Sequence, residues 1–217
     1  ILNNMKIALL FSGLLTNNNG DHNVKFSGNH YLEQCFKQIK KHILDVNPNC
    51  IIDIYFYSWK SNNHDVDDKI IEDIINLYKP KKYKFTNEKE NNRFLSKMKG
   101  NKLVFNLLEE EYDLYAFMRA DVYINKNIEF SNYDLTKIYH NDGMPSQWGH
   151  FGDFYFCMNH SNADKFSKIY DNLYEDLVNE IYTDQKLRNK YLPFLENYIQ
   201  ELGVIENDLR AGSFKEI

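Results

Sequence analysis

Arg119-Ala-Asp121 follows directly on the apolar run Leu114-Tyr-Ala-Phe-Met118. Charges placed there must be solvated or paired. A carboxylate at such a position is an oxygen ligand of the kind that Mg²⁺ and Mn²⁺ take, together with phosphate oxygens. An arginine two positions earlier in extended chain projects to the same side and can grip phosphate or carboxylate through two parallel hydrogen bonds. The plain alternative is an Arg–Asp pair that finishes a strand. A second group is Trp148-Gly-His150-Phe-Gly-Asp153. Its glycines allow backbone to approach a ligand closely, and His150 and Asp153 suit proton transfer or metal binding. The plain alternative is a tight loop with a turn aspartate. Ser12-Gly13 and Ser58-Trp59 each end a further apolar run.

Other chemistries lack their residues. There is no Gly-x-Gly-x-x-Gly, no Walker sequence, no Gly-x-Ser-x-Gly elbow and no His-Glu-x-x-His. Cys35, Cys50 and Cys157 have neither the even count nor the spacing of a disulfide framework or zinc site. They read as buried free thiols of a protein in the reducing cytoplasm. With 26 basic against 31 acidic residues the net charge is −5, which argues against a nucleic-acid partner. No apolar run approaches the roughly 20 residues of a membrane span, and no secretory signal is visible. The chain has 28 Asn and 5 Ala, the bias of an AT-rich coding sequence. Its 16 Tyr and 15 Phe are therefore weak evidence for a stacking surface.

Apolar periodicity predicts the elements that position these groups. Strands are expected over 5–11, 51–57, 81–86 and 113–118, and helices over 30–46, 65–78 and 91–111, the last with a break at Gly100. Asn47-Pro48-Asn49 ends the first helix and Pro80 the second. Residues 16–23 read as a polar loop. Further on, strands are expected over 138–140 and 153–159, and helices over 161–181 and 192–202, with Gly203 as a cap. Strand and helix alternating in this way define an α/β chain with a mostly parallel central sheet flanked by helices, Rossmann-like in its N-terminal half. One domain over residues 1–217 is expected. Ile1-Leu-Asn-Asn4 before Met5 leaves room for that domain to be one part of a larger polypeptide. Ligands of such sheets bind beyond the carboxyl ends of the strands, where Ser12-Gly13, Ser58-Trp59, Arg119-Ala-Asp121 and the 147–153 loop would fall.

Taken in order, these segments resemble the GT-A-type glycosyltransferases that build surface glycans in bacteria and in some large DNA viruses. The likeness is carried by Ile7-Ala-Leu-Leu-Phe-Ser12-Gly13, Asp53-Ile-Tyr-Phe-Tyr-Ser-Trp59, Tyr78-Lys-Pro-Lys81, Tyr112-Asp113, Arg119-Ala-Asp-Val122 and Asp153-Phe-Tyr-Phe. Pro193-Phe-Leu-Glu196 and Gly203-Val204 echo its end. Leu14-Leu15-Thr16 stands where the family has a basic residue, Tyr55 or Tyr57 replaces a histidine, and the metal motif reads Arg-x-Asp rather than Asp-x-Asp.

The resemblance implies a single GT-A-like domain whose residues 1–122 bind a nucleotide-sugar donor and whose residues 123–217 face a glycan or glycoprotein acceptor. It implies Mn²⁺ or Mg²⁺ on Asp121, with Arg119 gripping phosphate or holding Asp121 in place. Ser12 and Gly13 would line the nucleotide, and Trp59 would wall the base or sugar. In an inverting enzyme Asp153 would be the general base on the acceptor hydroxyl, with His150 as its alternative or a late metal ligand. Two other classes stay open: a non-catalytic glycan- or partner-binding module on the same fold, and a nucleotidyltransferase, which would be expected to open with a Gly-rich phosphate loop.

Overall fold

A computed structural model describes residues 4–13, 28–59, 68–87, 93–120, 122–142, 151–171, 204–207 and 215–216. The first strand, β1 (Lys6–Ser12), is buried on both faces beyond Lys6. An unbroken apolar run of this length suits a central strand covered on both sides. Helix α1 (Gly28–Ile39) runs into a wider turn over Lys40–Leu44. Asn47 then ties the chain down. Its side-chain nitrogen donates to the Ile43 and Ile128 carbonyls, both at 2.7 Å, and its oxygen accepts from the Phe130 N–H at 2.9 Å.

Strand β2 (Ile51–Trp59) and helix α2 (Asp68–Tyr78) follow. Asp68 stands in the first turn of α2, where a negative charge complements the helix dipole, and Ile70, Ile71, Ile74 and Tyr78 form its buried stripe. Lys79, at φ 46°, takes the left-handed turn before Pro80. Next come β3 (Lys82–Thr86), α3 (Arg93–Phe105), β4 (Leu114–Met118) and β5 (Val122–Tyr123). The last described elements are β6 (Lys137–Asp142), β7 (Phe151–Met158), α4 (His160–Ser167), β8 (Val204–Asn207) and β9 (Lys215–Glu216).

Seven strands form one sheet in the order β3-β2-β1-β4-β7-β6-β8, and β5 pairs with β9 apart from it. All neighbours in the large sheet are parallel except at β7, which runs against both β4 and β6. The expected α/β class and mostly parallel sheet are therefore what the chain forms. Helices cover both faces. Leu32, Ile39, Ile70, Ile71 and Ile74 pack on Ile7, Leu9, Phe11 and Phe56. On the other face Met98, Val104, Ala163 and Phe166 pack on Leu10, Tyr55, Tyr115 and Phe117. Removing a fully buried ring such as Phe11 would cost about 3–5 kcal/mol.

Three expectations need correction. The helix over 91–111 ends at Phe105, and Gly100 lies inside it rather than breaking it. The acids past its end bind lysines instead: Glu109 pairs with Lys82, and Glu110 with Lys6 and Lys81. The helix expected over 161–181 is interrupted by a turn at Lys168 between His160–Ser167 and the helical residues 169–171, the Ser167 hydroxyl donating back to the Asp164 carbonyl at 2.7 Å; its remainder, 172–181, lies outside the described residues. The strand expected from Asp153 begins two residues earlier, at Phe151. The helix expected over 192–202 and the loop over 16–23 lie outside the described residues. No helix among the described residues is long and apolar enough to cross a membrane.

Candidate functional site

The strand order reverses between β1 and β4. From β1 the chain steps outward through β2 to β3, and α3 then carries it back to β4 on the other side of β1. Helices α1 and α2 lie on one face and α3 on the other. A crevice opens at such a switch point, beyond the carboxyl ends of the two strands, and it is the usual ligand site of these sheets. Gly13 ends β1 there and Arg119 ends β4.

These two residues are brought together. Gly13 sits at φ +121°, a conformation that side-chain-bearing residues avoid. A Cβ built on it would lie 3.6 Å from Arg119 Cγ. Its carbonyl accepts the Ser58 hydroxyl at 2.7 Å, which ties the end of β1 to the end of β2. Ser12 is buried, and its hydroxyl donates to Asn101 Oδ1 of α3 at 2.7 Å. Gly100 makes that contact possible. A Cβ there would stand 3.2 Å from Ser12 Cβ and 3.8 Å from Trp59 Cζ3. A glycine inside a helix costs up to about 1 kcal/mol relative to alanine, so this close approach is the physical return for its presence. Trp59 is packed rather than displayed, with 6% of its surface exposed.

Of the expected site residues, Ser12, Gly13, Trp59 and Arg119 thus converge on one end of the sheet. Asp121 and His150 lie outside the described residues. Asp153 lies in β7, not in a loop. Tyr155 pairs with Met118 in antiparallel register, so the backbone of Asp153, two residues upstream, is carried to the same end as Arg119. A bulge separates the β6–β7 pairs His140↔Phe156 and Asp142↔Phe151, and Asn141 fills it, its side-chain oxygen accepting from the Tyr155 N–H at 3.0 Å. The buried His140 donates from Nδ1 to the Asn141 carbonyl at 2.8 Å; a carbonyl can only accept, so Nδ1 carries the proton. Burial, with Cys157 and Tyr133 beside it, holds the Tyr155 phenol well above its usual pKa. Among the described residues no cluster of three or more His, Cys, Asp or Glu side chains could hold a metal ion.

Sequence reasoning missed Asn101 and misread Gly100. It also placed Asp53, Lys81 and Tyr112 among motifs without locating them. They meet at the opposite, amino end of the sheet. Tyr112 donates to Asp53 Oδ2 at 2.6 Å, as does Lys81 at 2.6 Å, and Lys81 also pairs with Glu110. Because the Tyr112 proton goes to Asp53, the Tyr55 hydroxyl 2.7 Å away is the donor to Tyr112. Burial, then the bonds to Asp53 and Tyr55, hold the Tyr112 phenol protonated far above its ordinary range.

The fold is that of a doubly wound α/β protein in which Gly13 and Arg119 meet at the switch point. No family model matches the chain, and no curated protein matches it significantly. Among solved structures it is similar to a glycosyltransferase involved in the glycosylation of the major capsid of PBCV-1. The two share 10% identity, with 94% of this chain and 80% of that one covered and a TM-score of 0.45. A likeness at this level says nothing of activity, which has to come from the residues themselves.

Proposed function

We propose that the chain is a GT-A-type glycosyltransferase that moves a sugar from a nucleotide-diphosphate donor to a hydroxyl of a glycan or glycoprotein. The observation that carries this reading is the meeting of Gly13 and Arg119 at the switch point. Backbone open to close approach, beside a permanent cation, suits a diphosphate. In this reading residues 1–122 hold the sugar nucleotide and residues 123–217 form the acceptor side. As the nucleoside diphosphate departs, negative charge builds on it, and Arg119 is a preorganised counter-charge. Asp153 takes the proton of the acceptor hydroxyl, which requires approach to about 2.6–3.2 Å; His150 is the second candidate.

A single carboxylate such as that of Asp121 suits a hard cation that completes its shell with substrate phosphate and water. Asp121 would hold Mn²⁺ or Mg²⁺, and the bound ion supplies further positive charge to the leaving diphosphate. The free thiols of Cys35, Cys50 and Cys157 suit the reducing cytoplasm as the place of reaction.

Titration calorimetry with UDP-, GDP- and dTDP-sugars, with and without Mn²⁺, tests the reading. Metal-dependent binding that weakens in Asp121→Asn supports it. Glycan binding without nucleotide binding points instead to a non-catalytic module on the same fold. The single carboxylate of Arg119-Ala-Asp121 is the feature that favours that second reading.

A further inference from the structure

The backbone ladder between β1 and β2 runs as far as Ser12↔Tyr57. The next residues are Gly13 and Ser58. There the ladder stops and a side chain takes over, the fully buried Ser58 hydroxyl donating to the Gly13 carbonyl at 2.7 Å. Gly13 stands at φ +121°, and glycine permits the peptide that follows it to turn either way. The hydroxyl selects one orientation.

That choice has a direction. A peptide unit is planar and trans, and the described residues contain no cis bond, so its C=O and N–H point opposite ways. With the carbonyl drawn toward β2, the N–H is turned away from β2. The strand on that other side of β1 is β4, which ends at Arg119. The two faces of the sheet agree with this. Side chains alternate along a strand. Ser58 follows Ile54 and Phe56, which pack with α1 and α2. Arg119 follows Tyr115 and Phe117, which pack with α3. Ser58 and Arg119 thus flank the end of β1 from opposite neighbours and opposite faces. Gly13 and Arg119 are both half-buried, so this backbone remains open to solvent.

We infer that Ser58 is a positioning residue: by holding the Gly13 carbonyl it aims the backbone N–H of that peptide at the anion that Arg119 attracts, and so sets the grip on the diphosphate. This rests on the sugar-nucleotide reading given above. Backbone N–H groups fixed at a turn are anion donors that need no side-chain charge, and here one is held beside a permanent cation.

The test titrates the full chain with UDP, GDP and dTDP in the presence of Mn²⁺ and follows melting in parallel. Ser58→Ala frees the carbonyl. It should weaken whichever nucleoside diphosphate the wild type binds by about tenfold, the effect of one hydrogen bond to a charged group. Ser58→Thr and Ser58→Val add the same bulk, and only threonine keeps the hydroxyl. The threonine variant should bind about tenfold more tightly than the valine variant. A serine that only stabilises the strand would lower the melting temperature in Ser58→Ala with no change in affinity, and would leave no gap in affinity between Ser58→Thr and Ser58→Val. Either result overturns the inference while nucleotide binding itself stands. If the two larger variants fail to fold, Ser58→Ala against the wild type decides alone. A wild type that binds none of the three nucleotides overturns both the inference and the reading on which it rests.

Discussion

Replacing Gly13 by alanine asks whether the end of β1 is held in a conformation only glycine tolerates. The new Cβ would stand 3.6 Å from Arg119 Cγ, an ordinary contact. Sterics with the neighbour therefore cost little, and the penalty lies in the backbone at φ +121°. Holding a side-chain-bearing residue there costs about 1–3 kcal/mol. The chain can escape by rotating the peptide, but the Gly13 carbonyl accepts the buried Ser58 hydroxyl at 2.7 Å. Losing that acceptor costs a comparable amount, again about 1–3 kcal/mol. Neither route is free. For a chain of this size each kcal/mol lowers the melting temperature by roughly 2–4 °C, so Gly13→Ala should melt about 2–12 °C lower.

The control is Gly100→Ala. Its backbone is helical, so alanine gains about 1 kcal/mol of propensity, offset by a Cβ that would stand 3.2 Å from Ser12 Cβ in a strand that cannot retreat. That variant should melt near the wild type. Differential scanning calorimetry of both, with nucleotide titration alongside, makes the comparison. A Gly13→Ala protein that melts within a degree of the wild type and binds nucleotide unchanged would refute the argument from φ, and with it the claim that this backbone is shaped for a ligand.

Three further outcomes follow from the same geometry. Arg119→Ala should weaken sugar-nucleotide binding by at least about tenfold, and Arg119→Lys should not restore it if the guanidinium grips phosphate with two prongs; full rescue by lysine in the same titration would mean that charge alone matters. Asp153→Asn should lower kcat by about 10²–10⁴-fold in a transfer assay and leave nucleotide affinity nearly unchanged, because a general base acts on the transition state. Hydrogen bonds from Lys6 and Lys81 pull the Glu110 carboxyl down to about 2. A depressed carboxyl contributes stability above its unfolded pKa, and that contribution is lost as pH falls from about 4.5 toward 2. Glu110→Gln should flatten the melting-temperature profile in that window.

The central strands were readable because burial on both faces leaves a continuous apolar run, as in Ile7–Phe11 and Leu114–Met118. Helix α2 was readable from its isoleucine stripe and its terminal Pro80. The direction of β7 was not drawn from the sequence, though a signal existed. The twelve residues between 140 and 153 are only just the length of the crossover that a parallel neighbour needs, and Gly143, Pro145 and Gly149 speak against a helix within them. Asn101 carried no signal at all, being one of 28 asparagines and distinguished only by Ser12, a residue 89 positions away. Gly100 was misread because glycine in a helix signals a break by default; its reason, close approach to β1, is tertiary. Ser12, Gly13, Trp59 and Arg119 could be placed near one another because each ends a strand, and parallel strands deliver their ends to one place.

The motifs that carry the resemblance to GT-A enzymes separate into two groups at the two ends of the sheet. The stretch from Asp53 to Trp59 belongs to both. Asp53 takes hydrogen bonds from Tyr112 and Lys81 at the amino end, and Trp59 packs beside Ser12 and Gly100 at the carboxyl end. Six residue steps of strand place them about 20 Å apart, so the first residue can act only as an anchor for the last. Tyr112→Phe separates the two roles. It deprives Asp53 of a donor and leaves the Tyr55 hydroxyl, on a fully buried side chain, without its acceptor. An unmet buried hydroxyl costs about 1–3 kcal/mol, or roughly 2–12 °C in melting temperature. Nucleotide affinity should not move, because no strand of the crevice changes its register. If Tyr112→Phe weakens nucleotide binding as much as it lowers the melting temperature, the amino-end network reaches the crevice, and the division of the sheet into an anchoring end and a binding end is wrong.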